Sequence, residues 1–150
     1  MGQSLVNNYI HLVFSTKHRQ HFIQPLFEQA LHSYLGGICN NMDCEPIQIG
    51  GYTDHVHLLC KLSKRVALMK LLEEAKSHSS KWMKTQDSSL RDFYWQDGYG
   101  AFSVSPTQVD KVIHYITNQH AHHKKIDFQN EFRALLKKNR LPCDERYVWD

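Results

Sequence analysis

The stretch Thr53-Asp54-His55-Val56-His57-Leu58-Leu59-Cys60 alternates between two kinds of side chain. In a β-strand, residues two apart point to the same face, roughly 6.6–7 Å apart along the chain. His55, His57 and Leu59 therefore share one face, and Val56, Leu58 and Cys60 share the other. The second face is apolar and predicts contact with a core. The first offers two imidazoles. They are either polar residues on a solvated face or half of a metal site, and the rest of the chain decides between the two.

Working outward, Pro46 to Tyr52 alternates at Ile47 and Ile49 and predicts a strand. Gly50-Gly51 and Thr53-Asp54 supply turn chemistry, so the short separation predicts an antiparallel pair. Upstream, Val6 to Ser15 reads as a further strand, with Ile10, Leu12 and Phe14 on one side and Tyr9, His11 and Val13 on the other. Between these strands, Pro25 suits a first helical turn. Leu26, Phe27, Ala30, Leu31, Tyr34, Leu35 and Ile38 then recur at helical spacing to about Asn40.

Downstream, Leu68, Leu71, Leu72, Ala75, Ser79 and Trp82 mark a second helix, with Lys70, Lys76, Lys81 and Lys84 on its other face. Phe93 to Val104 predicts a fourth strand, bent near Gly98 and Gly100. Ser105-Pro106-Thr107-Gln108 is a helix start, with serine at the N-cap and proline at N1. Val109, Val112, Ile113 and Ile116 form the apolar stripe of that third helix. On its flank, Tyr115 and Gln119 are four residues apart, so their side chains reach a common point. Phe128, Phe132, Leu135 and Leu136 predict a last short helix, followed by an extended tail from Arg140 to Asp150 anchored by Tyr147 and Trp149.

The order β-α-β-β-α-β-α matches the split βαβ pattern. The expected fold is α+β and ferredoxin-like (RRM-like): a four-stranded antiparallel sheet, helices on one face, and an additional C-terminal helix carrying Tyr115. The opposite face is expected to be open and to carry His55 and His57. One domain spans 1–150, with a core over about 5–124 and a C-terminal helix and tail over 125–150.

Composition narrows the function classes. The chain has 150 residues, 41% hydrophobic and 22% charged, which suits one globular domain with a real core. No apolar run approaches a membrane span and no signal-peptide pattern opens the chain, so a cytoplasmic protein is expected. The cysteines, Cys39, Cys44, Cys60 and Cys143, form no CxxC pair, which argues against a zinc or disulfide framework. The net charge is only +3 with neutral histidines, so composition does not announce a nucleic-acid binder. Eleven histidines add positive charge near neutral pH.

Taken together, His55-Val56-His57 on an inner strand and Tyr115-Ile116-Thr117-Asn118-Gln119 on a late helix resemble the HUH single-tyrosine transposases. More narrowly, the chain resembles those of the insertion-sequence 200/605 type (IS200-like transposases). The likeness also covers Tyr9-Ile10-His11-Leu12-Val13-Phe14, Trp95-Gln96-Asp97-Gly98-Tyr99 and Val112-Ile113-His114.

The resemblance implies that His55, His57 and Gln119 bind a divalent metal, Mg²⁺ or Mn²⁺, and that Tyr115 is the nucleophile. It implies a homodimer in which the tyrosine helix of one subunit completes the site of the other in trans. The implied reaction is cleavage of single-stranded DNA at hairpin-bearing ends, giving a 5′-phosphotyrosine and a free 3′-OH, then rejoining. A free tyrosine has a pKa of about 10 and is a weak nucleophile at neutral pH. A divalent ion would polarise the anionic phosphate it attacks. Three neutral ligands would leave the ion's charge for that phosphate, and imidazoles with an amide oxygen suit Mn²⁺ better than Mg²⁺.

Lys17, Arg19, Lys76, Lys81 and Lys84 are candidate phosphate contacts. Their plainer reading is a solvated surface. His120, His122 and His123 read first as a polar helix end rather than a second metal cluster. Three rival functions share parts of this pattern: a non-catalytic single-stranded nucleic-acid-binding module, a nuclease using water in place of Tyr115, and a domesticated relative that processes repeated palindromes.

Overall fold

The computed structural model describes residues 2–150. Its elements run β1 (Tyr9–Ser15), α1 (Pro25–Asn41), β2 (Glu45–Tyr52), β3 (His55–Lys61), α2 (Leu68–Gln86), β4 (Gly100–Val104), α3 (Val109–Thr117), α4 (Gln119–His122) and α5 (Phe128–Lys138). The four strands form one antiparallel sheet in the order β2-β3-β1-β4. This is the ferredoxin-like order that the alternation of elements predicts.

The alternation read from β3 decides where the layers go. Ile10, Leu12, Phe14, Val56, Leu58 and Cys60 are buried together with Leu31, Leu35, Leu71, Leu72 and Ala75 of α1 and α2. On the reverse face, Val13 and Phe102 join Phe128, Phe132 and Leu136 of α5 in a second, smaller core. Burying each of those large apolar side chains contributes about 1.5–3 kcal/mol. The face expected to be open is therefore covered, by α3 against β2 and β3 and by α5. The apolar stripe Phe128-Phe132-Leu136 cannot stay in water, and this face is the surface left to receive it.

Two close approaches bring those helices down. A Cβ on Gly50 of β2 would lie 2.6 Å from the Ile116 carbonyl oxygen of α3. A Cβ on Gly100 of β4 would lie 2.7 Å from the Phe132 ring of α5. Only glycine leaves room at both points.

Boundaries differ from expectation in four places. The first strand starts at Tyr9 rather than at Val6. The fourth strand is shorter, because Thr16 pairs with Trp95 only as an isolated bridge and the chain then turns through 96–99. Ser105 does cap its helix, accepting from Thr107 N–H, but the first turn at Pro106–Gln108 is 3₁₀. The tail is a series of turns: Val148 and Trp149 pack on the second core, whereas Tyr147 is exposed and anchors nothing. Among the described residues, no helix is long and apolar enough to cross a membrane.

Candidate active site and metal centre

β3 sets the two imidazoles side by side. His55 and His57 are both fully buried, with ring centroids 5.0 Å apart. Each ring is held from behind through Nδ1. The Asp54 carboxylate lies 2.6 Å from His55 Nδ1, and His11 Nε2 lies 2.9 Å from His57 Nδ1. His11 sits on β1, two residues before the Val13 that pairs with His57. Such partners behind an imidazole fix its orientation and leave Nε2 forward.

The helices meet those Nε2 atoms from above. Gln119 Oε1 lies 2.9 Å from His55 Nε2. Glu131, from the first turns of α5 and only 2% exposed, puts Oε1 at 3.3 Å from His55 Nε2, 3.2 Å from His57 Nε2 and 3.0 Å from His123 Nε2. Its other oxygen, Oε2, accepts from the Tyr115 hydroxyl and, at 2.8 Å, from Gln119 Nε2. The Tyr115 ring lies across His57, with centroids 5.5 Å apart. Helix α3 stops at Thr117 and α4 restarts at Gln119, yet both side chains still converge on one carboxylate.

The donors of His55 and His123 do not balance without a further proton or a metal ion. Asp54 accepts the Nδ1 proton of His55, and the Ile126 carbonyl at 2.8 Å accepts that of His123. Neutral rings would then turn Nε2 lone pairs toward the oxygens of Gln119 and Glu131. Acceptors that face one another in a buried site need a proton or a metal ion between them. His55, His57 and Glu131 offer three ligand atoms all within 4.8 Å of one another, as do His122, His123 and Glu131. The residues fit a divalent metal by position and by donor type.

The buried charges shift each group in the site. Burial alone would lower the pKa of His55, but Asp54 and Glu131 outweigh it and raise it to about 9. His57 is lowered to about 4, by burial first, although Glu131 opposes the shift. His11 is lowered to about 3, again by burial and then by His57. Burial would push Glu131 up, yet the histidines around it hold it well below the usual carboxylate range. Tyr115 is pushed well above its ordinary value, by burial and then by the Glu131 charge.

The expected site residues thus meet on one side of the sheet: His55, His57, Tyr115 and Gln119 in a single cluster. Glu131, His11 and His123 were not among them. A signal for Glu131 was present: it is a carboxylate inside the apolar stripe of α5, three residues after Phe128 and four before Leu135. The candidate phosphate contacts are dispersed. Lys76, Lys81 and Lys84 lie on α2, across the sheet from Tyr115. Lys76 Nζ donates to the carbonyls of Asp97 and Gly98, and burial lowers its pKa to about 8. Lys84 Nζ donates to the Phe93 carbonyl and sits 4.0 Å over the Tyr94 ring. Lys17 and Lys81 are exposed. Arg19 lies over the Trp149 ring at 5.6 Å. A cavity of ≈ 250 Å³ beside Tyr115 is lined by His11, Phe102, Lys111 and Lys138, among others.

Fold and site together define a ferredoxin-like protein with a buried candidate metal centre in contact with a tyrosine on a covering helix. A family model described as "Transposase IS200 like" matches residues 4–119, and the chain belongs to that family of DNA transposases. Two solved structures share the fold. One is a putative transposase from Deinococcus radiodurans: TM-score 0.62, 22% identity, covering 79% of this chain and 96% of that one. The other is a REP-associated tyrosine transposase bound to a REP hairpin: TM-score 0.62, 12% identity, covering 84% of this chain and 74% of that one. No curated protein matches the chain.

Proposed function

We propose that this transposase is a metal-dependent single-tyrosine enzyme that cleaves and rejoins single-stranded DNA. The observation that carries the proposal is the contact of Tyr115 with His57 and with the carboxylate that both histidines face. His55 and His57 would hold Mg²⁺ or Mn²⁺, with Gln119 within reach as a further oxygen ligand. Such an ion supplies charge neutralisation at the scissile phosphate and at the leaving oxygen, worth several kcal/mol.

In the reaction, the Tyr115 oxygen attacks phosphorus. The phenol proton is released, the bond from phosphorus to the 3′ oxygen breaks, and that oxygen takes up a proton and leaves as a 3′-OH, while the 5′ phosphate stays on the protein as a phosphotyrosine. A second 3′-OH then attacks that linkage, releases Tyr115 and restores a phosphodiester. One bond replaces another at each step, so no external energy source is needed. The cavity beside Tyr115, with Lys111 and Lys138 on its wall, gives the strand an approach to the phenol.

Hairpin DNA is the substrate we favour, because a structural neighbour covering 84% of the chain is a tyrosine transposase bound to a hairpin. The same neighbour makes a domesticated relative acting on repeated palindromes an alternative with identical chemistry. A non-catalytic binding module is disfavoured. Even when paired, such buried polar groups are often no more stabilising than an apolar core of the same volume, and simple strand binding has no use for them.

The resemblance implies a homodimer with sites completed in trans. Within one chain the histidines, Gln119, Tyr115 and Glu131 reach one site, and the same helix docked on a second subunit would bring the same groups together. The test of the proposal is incubation of the protein with Mn²⁺ and a labelled single-stranded hairpin. A denaturation-resistant adduct that disappears in Tyr115→Phe is expected. Cleavage that persists in Tyr115→Phe would instead favour a water-using nuclease.

A further inference from the structure

α5 brings to the site a residue that the HxH and tyrosine motifs do not contain. It follows the region matched to the transposase family, which ends at residue 119. Its polar side chain points into the protein: Glu131 is 2% exposed between Phe128 and Phe132, which are themselves buried. An isolated carboxylate there would be costly, and the fold keeps it only because specific partners surround it.

Those partners divide between the two oxygens. Oε1 faces nitrogen alone: His55 Nε2 at 3.3 Å, His57 Nε2 at 3.2 Å and His123 Nε2 at 3.0 Å. Oε2 faces the hydroxyl of Tyr115 and the amide nitrogen of Gln119, with His122 Nε2 at 3.5 Å. One oxygen therefore belongs to the metal-ligand set and the other to the nucleophile.

We infer that Glu131 is a ligand of the metal held by His55 and His57, through Oε1, and that through Oε2 it holds the Tyr115 hydroxyl beside that metal. The inference rests on the metal-site reading above. It changes the site in two ways. An anionic oxygen joins the two imidazoles, giving a harder donor set that suits Mg²⁺ and Mn²⁺ better than histidines and an amide alone. It also makes α5 part of the catalytic apparatus: the helix ties α3 to β3 through one side chain. Glu131 and Gln119 are linked as well, since the Gln119 amide donates to Oε2 while its oxygen faces His55. The amide orientation is thereby set by Glu131.

Mn²⁺ binding to the full chain, measured by titration calorimetry without DNA, separates the possibilities. Wild type should bind one tight Mn²⁺, and His57→Ala should lose it. Glu131→Gln, which keeps the size but not the charge, should weaken binding about tenfold or more. Glu131→Asp, which keeps the charge, should fall between the two. In wild type, Mg²⁺-induced infrared difference spectra should show a shifted carboxylate stretch, a readout that requires no variant to fold. Undiminished Mn²⁺ affinity in folded Glu131→Gln alongside loss in His57→Ala, or no shifted carboxylate stretch on Mg²⁺ binding, would overturn the role of Glu131 and leave the histidine site standing. A wild-type chain that binds no Mn²⁺ would overturn both.

Discussion

His57 and Glu131 are 74 positions apart in the chain, and the Nε2 of one lies 3.2 Å from the Oε1 of the other. The contact joins an inner strand to the last helix. It closes over a face of the sheet that a bare ferredoxin-like fold would leave to solvent. The same carboxylate holds Tyr115 and Gln119, so strand, nucleophile helix and C-terminal helix meet at one group. Most expectations for this protein follow from that meeting point.

Metal binding should stabilise the folded chain, because the ligands come together only on folding. Ligand at about a hundred times its dissociation constant adds about 2.7 kcal/mol. For a domain of this size, each kcal/mol raises the melting temperature by about 2–4 °C. Mn²⁺ should therefore raise the midpoint of wild type, a chelator should reverse the rise, and His57→Ala should show neither. Calorimetric melts with and without Mn²⁺ check this.

Gly50 should matter to activity although it carries no functional group. A Cβ there would meet the Ile116 carbonyl at 2.6 Å and its Cγ2 at 2.8 Å, one residue from Tyr115. Gly50→Ala should cost about 1–3 kcal/mol by overpacking and should lower the yield of covalent adduct by displacing α3. Gly37→Ala on α1, where a Cβ meets nothing within 4 Å, should stabilise by about 0.5–1 kcal/mol and leave the adduct unchanged. Urea melts and adduct gels on the two variants make the comparison.

Whether the site assembles in cis or in trans has a direct consequence for mixtures. His57→Ala lacks a metal ligand and Tyr115→Phe lacks the nucleophile, and a cis site needs both in one chain. With a cis site, a co-refolded equimolar mixture stays inactive for adduct formation. Recovery to about a quarter or more of wild-type yield would show that helices are exchanged between subunits.

The lysines should divide by position rather than by charge. Lys111 and Lys138 line the cavity at Tyr115, so each alanine variant should weaken single-strand binding and reduce the salt slope by about 1. Lys81→Ala, on the far side of the sheet, should leave both unchanged. Lys76→Ala should act on stability instead, since its ammonium is engaged with the carbonyls of Asp97 and Gly98. Fluorescence titrations at several salt concentrations separate the three cases.

The sheet was legible in the sequence because its strands carry a period of two. Val56, Leu58 and Cys60 do go to the larger core, and His55 and His57 do face the other way. The helix start at Ser105 was legible from its capping residues, and it put Tyr115 and Gln119 within reach of the histidines. What escaped was the covering of the second face. Phe128, Phe132, Leu135 and Leu136 predicted a helix, but an apolar stripe does not say which surface it will meet. Glu131 is hidden for the same reason: on an unplaced helix, a carboxylate beside phenylalanines has no address. His11 shares a face with Val13, and its role behind His57 depends on the β1–β3 register, which alternation alone does not fix.

Covalent joining of Tyr115 to DNA at a metal site built by His55 and His57 is read most directly by mapping the adduct. Wild-type protein reacted with a single-stranded hairpin and Mn²⁺ would be digested with nuclease and protease and sequenced by mass spectrometry. A nucleotide 5′-phosphate on the peptide containing Tyr115, absent when Mn²⁺ is chelated and absent in His57→Ala, is the predicted result. A phosphonucleotide on any other residue, or cleaved DNA with no modified peptide, would rule out Tyr115 as the nucleophile.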